Sequence, residues 1–350
     1  MPMPRSGFEE VAKVLHVSLP ASVAALQDAG EEFSERVEPA TLLDPRSATI
    51  WGGQMLPDCL PLFGNGSGDC ILVRFTMDGS VREFVEWHHE GSGWCPSELV
   101  PGYESPIASL GLGAEGALYS GLRAFCDEHN GAGALAEELG VPWPVMSSWL
   151  DDNDLIDADS RARIRKKTSL DDRALFTQDW PRAEEFALRA SAIRADLAWP
   201  GTVLGRAAER RRQLKPAVTR YVESLKGLRT TASFTEAWDG TGSSCAFAAA
   251  RLQALGGNNQ PEDAHVRACL TGDLDAVREH WMATGSAQLK AGQATDAYES
   301  FFRAGWDWYF TNDMEIVLNR LVEAADAAGS KALGALARLH LRSWEAMMSR

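Results

Sequence analysis

Residues 60–91 read LPLFGNGSGDCILVRFTMDGSVREFVEWHHEG. Ile71, Val73 and Phe75 alternate with Leu72, Arg74 and Thr76, the period of a half-buried strand. Asp78-Gly79 is a tight-turn pair. Beyond it Val81, Val85 and Trp87 share one face of a second strand, and Arg82, Phe84, Glu86 and His88 share the other. Residues 71–88 are therefore predicted to form a β-hairpin. This decides how the glycines are read. A phosphate-binding loop needs a strand before it and a helix after it, whereas GNGSGD at 64–69 feeds a strand. A turn is predicted there. The same period sets His88 and His89 on opposite faces, so one metal ion held by both is not expected. No HExxH or distant Cys/His pair completes a ligand set.

Upstream, Phe8, Val11, Ala12 and Leu15 fall at helical spacing, and a second helix is expected after Leu19-Pro20. From about residue 106 the pattern is helical to the end, broken at Pro142-Trp-Pro144, at 199–201, at 239–242 and at 256–261. The expected fold is an α+β N-terminal unit followed by an all-α region. Expected divisions are residues 1–130, 131–258 and 259–350. In the last, HWMATGSAQLKAGQATDAYESFFRAG places Trp281, Gly285, Gly292, Ala297, Phe301 and Ala304 at the spacing of a tetratricopeptide unit. Small residues there would let two antiparallel helices approach.

The chain has 350 residues, 45% hydrophobic and 24% charged, a composition that excludes disordered and fibrous classes. No apolar run suits a membrane span, and MPMPRSGFEEVAKV lacks the apolar stretch of a secretory signal. The cysteines at 59, 70, 95, 126, 245 and 269 form no CxxC pair and read as reduced thiols. A cytoplasmic protein without a membrane partner is expected. Charge is uneven. Residues 1–130 hold 7 Lys and Arg against 19 Asp and Glu, a net of −12, out of −15 for the whole chain. A field of that sign repels nucleic acid and attracts basic partners.

Other motifs carry no reaction. Asp151-Asp152-Asn153-Asp154 opens like a calcium loop, but Ile156 stands where the turn glycine belongs and Ala162 where the bidentate Glu belongs. Cys245 precedes an apolar helix, but nothing in the sequence ties His265 or His280 to it as a base. RARIRKK (161–167) and ERRRQLK (209–215) lack interleaved aromatics and read as solvated helix faces or packing surfaces.

The order of elements in residues 7–110 resembles the SMI1/KNR4 family, also called the SUKH superfamily. FEEVAKVLHVSLPASVAALQ resembles its opening helix, LP corner and second helix. LPLFGNGSGDCILVRF is similar to its central apolar strand, glycine turn, GD step and strand, and DGSVREFVEWHHEG to the next element. LQDAGEEFSERVEPA departs from the family, which often has an Asn-Gly turn there. The resemblance implies an α+β domain built on a curved, mainly antiparallel sheet with flanking helices, and a non-enzymatic binding protein, of the kind that neutralises a nuclease or other toxin or serves as a regulatory module, with no cofactor or metal. The expected protein-binding surface is the exposed face and end of the hairpin: Asp69, Arg82, Glu86, His88 and Glu90, with Trp87 and Trp94 as aromatic anchors. The alternative is a helical scaffold that binds a peptide through a groove containing FFRAGWDWYF (301–310).

Overall fold

A computed structural model describes residues 6–26, 28–47, 49–89, 93–97, 99–100, 102–103, 105–129, 131–227, 244–256, 264–306 and 314–350. Three short helices, α1 (Ser6–Leu15), α2 (Ala21–Ala25) and α3 (Pro39–Leu42), accompany a five-stranded sheet. Its strands are β1 (Glu35–Arg36), β2 (Cys59–Gly64), β3 (Cys70–Phe75), β4 (Val81–His88) and β5 (Gly93–Pro96). Each pairs antiparallel with its neighbour, in chain order. From Pro106 on, every described element is helical. This is the expected α+β unit followed by an all-α region.

The hairpin forms where the alternation placed it. Leu72 faces Val85 and Cys70 faces Trp87 across β3 and β4. The turn is closed by Asp78, which accepts from the Ser80 N–H at 3.1 Å. The half-buried expectation is corrected: β3 is buried on both faces from Ile71 to Phe75. On one face Phe84 packs edge-on against Tyr103, whose hydroxyl bonds Ser22 of α2. The other face is covered from the far end of the sequence.

The helices there are α14 (Ala264–Thr271), α15 (Leu274–Lys290), α16 (Ala294–Trp306), α17 (Met314–Ala327) and α18 (Lys331–Met348), and the cover is formed by α16, α17 and α18, with Met282 and Leu289 of α15 packed against it. The chain divides into two compact units that do not follow the expected boundaries at 130 and 258. One unit joins residues up to Ala108 with those from 264 onward; the other takes Ser109–Gly227 and the described 244–256. A single apolar core runs through the first, from Leu72, Val85, Trp87 and Trp94 to Phe301, Phe302, Leu318 and Leu336. Polar contacts fix the register of the cover. The Trp306 Nε1 donates to the Met55 carbonyl at 3.1 Å, the Ser330 hydroxyl to the Met77 carbonyl at 2.5 Å, and His340 Nε2 meets the Cys59 carbonyl at 3.3 Å. At the sheet, buried Arg74 is bound by Asp58 and by Glu83, both at 2.7 Å, with its guanidinium 4.8 Å from the Trp94 ring and 5.2 Å from that of Phe302.

The helical hairpin of α15 and α16 uses the small residues picked out in the sequence. A Cβ at Gly285 would lie 2.7 Å from the Phe301 ring, so only glycine lets the two helices approach this closely. Phe301, Phe302 and Trp306 are buried, so these three do not line an open groove; residues 307–310 lie outside the described ones.

In the second unit two motifs answer each other. Asp152 of the acidic loop is fully buried and takes Arg206 and, at 3.1 Å, Arg210 of α11 (Ala198–Arg210); α4–α10 are the helices from Pro106–Leu118 to Trp180–Ile193, and α12 and α13 are Leu214–Leu225 and Ser244–Leu255. Arg211 binds Glu184 at 2.6 Å. In the other basic cluster, Arg165 meets Asp172 at 3.2 Å and Lys167 meets Glu138 at 2.8 Å. In each basic cluster two or more side chains thus pair with carboxylates of their own unit.

Candidate functional site

The glycine turn is built on Asn65. Its side-chain oxygen accepts from the Ser67 N–H at 3.0 Å and the Asp69 N–H at 3.1 Å, while its own N–H donates to the Asp69 carbonyl at 3.2 Å. Gly66 and Gly68 have φ of +72° and +106°, a region that side chains other than glycine's rarely tolerate. The turn therefore delivers Asp69 to one place, beside the end of β4.

There one carboxylate gathers the groups that the strand period would separate. Asp69 Oδ1 accepts from the His89 backbone N–H at 2.9 Å and lies 3.0 Å from His89 Nδ1. Oδ2 accepts from Asn65 Nδ2 at 3.1 Å and lies 3.7 Å from His88 Nδ1. The opposite-face expectation fails because β4 ends at His88, and the turn at His89 brings the second ring round. Burial alone would raise the Asp69 carboxyl; the bonds from His89 and Asn65, with the His88 charge, outweigh it and hold the group below the usual carboxylate range. Trp51 stands edge-on to both Trp87, at 5.8 Å between centroids, and His89, at 6.0 Å.

The other expected contact residues do not form one patch. Arg82 lies at the opposite end of β4, six residues from His88, where it faces Glu299 at 3.6 Å. Glu86 accepts from the Ser97 hydroxyl at 2.9 Å. Trp87 and Trp94 have no exposure at all, and their place as surface anchors is corrected: they are core side chains on the face that the C-terminal helices cover. Glu90 lies outside the described residues. Asp69 itself already receives donors at both oxygens, which makes it a pin for the turn and not an open acceptor.

The sequence reasoning missed a surface beside this one. Asp28, Glu31, Glu32, Glu35 and Glu38 are all exposed, as are Glu9 and Glu10 of α1. Among the described residues none of the seven has an ion-pair partner. The one base within residues 28–38, Arg36, bonds the Ala24 and Leu26 carbonyls, its guanidinium 4.9 Å from the Phe8 ring. Pairing of β1 with β2 sets Glu35 opposite Gly64, and the Glu35 carboxylate lies 3.1 Å from where a Cβ of Gly66 would be. The acidic edge thus runs into the glycine turn. Its signal was LQDAGEEFSERVEPA, five acids to one base.

The described thiols offer no activated nucleophile. Burial pushes Cys70 up to about 12 and Cys126 up to about 11, and holds Cys59 well above its ordinary value. Cys269 lies 3.6 Å from His265 Nε2, but both are buried. The Cys245 side chain lies outside the described residues. Compared with models of known protein families, with curated proteins and with solved structures, the chain matches none.

Proposed function

We propose that this chain is a non-enzymatic, cytoplasmic binding protein whose acidic edge engages a basic protein, in the manner of an immunity protein neutralising a toxin such as a nuclease, or of a regulatory module. The observation that carries the reading is the run Asp28, Glu31, Glu32, Glu35 and Glu38: five exposed carboxylates whose local base, Arg36, is bonded to the Ala24 and Leu26 carbonyls. Unpaired surface acids raise the encounter rate with a basic partner and are screened by salt. The resemblance of residues 7–110 to SMI1/KNR4 proteins adds support from sequence. The contact surface is moved from the hairpin face to the edge strand and glycine turn, with His88 and Glu35 at its centre.

The test uses the full chain and the toxins encoded beside it. Binding measured by calorimetry is expected to weaken at least tenfold when ionic strength rises from about 0.01 M to about 0.15 M, as the Debye length shortens. A variant carrying Glu31→Gln, Glu32→Gln, Glu35→Gln and Glu38→Gln is expected to lose most of its affinity and its salt dependence. Equal binding by variant and native chain, or no binding of any such toxin at low salt, would overturn the proposal.

A further inference from the structure

The histidine pair at the end of β4 shares the glycine turn with the acidic edge. His89 turns its Nδ1 to Asp69 at 3.0 Å and His88 at 3.7 Å. Their side chains are 25% and 43% exposed, so each ring can exchange a proton with solvent. The Glu35 carboxylate lies 3.1 Å from where a Cβ of Gly66 would be, and the His89 ring lies 3.0 Å from where one of Gly68 would be. Two residues of backbone separate these points, a span of at most about 8 Å. Glu35 and His89 therefore fall well inside the Debye length of about 30 Å at 0.01 M salt, and each feels the other's charge.

Histidine is the side chain whose charge changes between about pH 5 and pH 8. The other groups around the pair hold their charge in that range. Asp69 is kept below the usual carboxylate range and stays ionised. The Cys70 thiol, next along β3, is pushed up to about 12 by burial and stays neutral. Glu35 reaches the turn from β1, Glu86 of β4 accepts from Ser97, and Trp51 brings a ring without charge. Arg36 is bonded to the Ala24 and Leu26 carbonyls, and Arg82 faces Glu299 at the other end of β4. His16 is at that other end too, its carbonyl against Gly79 of the hairpin turn. An imidazolium pairs with Asp69 where a neutral ring bonds to it, so protonation adds charge here without opening the turn.

We propose that His88 and His89 are a pH sensor for the acidic edge: neutral, they leave its negative field intact; protonated, they place two positive charges beside Glu35 and release a lysine- or arginine-rich partner. The sensor rests on the reading of that edge as the binding surface. The full-length protein is titrated by calorimetry with a peptide of about ten lysines, whose charge is constant below about pH 9. At about 0.01 M salt, binding by the native chain is expected to weaken at least about fivefold from pH 8 to pH 5.5. The double variant His88→Gln, His89→Gln is expected to bind at pH 8 as the native chain does and to weaken less than about twofold over the same interval. His88→Gln alone, at the more exposed ring, is expected to remove part of the pH response and serves if the double variant melts early. If the native chain binds equally at both pH values, or the histidine variants weaken as much as it does, the sensor does not exist and the edge reading stands. If the native chain does not bind the peptide at pH 8, or binds it no better than the variant with Glu31, Glu32, Glu35 and Glu38 changed to Gln, the edge reading falls and the sensor with it.

Discussion

Arg74 and His340 show what individual polar residues do inside this core. Burial works against the Arg74 charge, but Asp58 and Glu83 outweigh it and hold the guanidinium firmly protonated. Such a group is stable only with its partners in place. His340 has the opposite balance. It is fully buried, its Nε2 meets the Cys59 carbonyl and its Nδ1 has no partner. Burial lowers its pKa from 6.5 to about 4, with the Cys59 bond and Asp58 opposing. The unfolded chain therefore takes a proton near pH 6.5 that the folded chain refuses until about pH 4. Stability from this group is complete above pH 6.5 and is lost as pH falls through that window, by about 3 kcal/mol. Denaturant unfolding at pH 7 and pH 4.5 should show a drop in the native chain that is much smaller in His340→Gln. An equal drop in both would assign the acid sensitivity elsewhere.

Among the elements, the hairpin was the most legible. Its alternation and its Asp-Gly turn are local, and both strands form where these signals put them. The error lay in what covers it. Arg74 in the alternation marks a wet face, but Asp58, 16 residues earlier, neutralises it in the core. A periodic pattern carries no record of such a partner. Nor does it say that α16 and α18 are the lid, since those helices lie more than 200 residues away. The glycine turn was legible as a turn, but not as the device that brings His88 and His89 to one carboxylate, because that depends on where β4 stops. The consequence is testable. A fragment of residues 1–130 would expose Leu72, Val85, Trp87 and Trp94 on one face of its sheet. It should show no cooperative thermal transition and should bind a hydrophobic dye, and supplying residues 263–350 in trans should restore the transition. A fragment that melts cooperatively by itself would show that the helices are dispensable to the sheet.

At the scale of the whole molecule, charge and connectivity separate two roles. Several basic groups are bonded within the fold: Arg74 and Arg36 in the sheet unit, Arg206 and Arg210 in the helical one. The acids of residues 28–38 are left on the surface with like-charged neighbours. The total of −15 was readable from composition, but its placement was not, because only the fold shows that Arg36 bonds the Ala24 and Leu26 carbonyls. Like charges closer than a Debye length repel, at a cost to the folded state that salt reduces. Neutralising Glu31, Glu32, Glu35 and Glu38 to Gln should therefore raise the melting temperature at about 0.01 M salt, and the gain should shrink as ionic strength approaches about 0.15 M. A surface kept for binding has this signature, since the same substitutions then stabilise the fold while they abolish the association. If the variant instead melts lower at every salt concentration, the four glutamates are structural, and a loss of binding in that variant would say nothing about a reader surface.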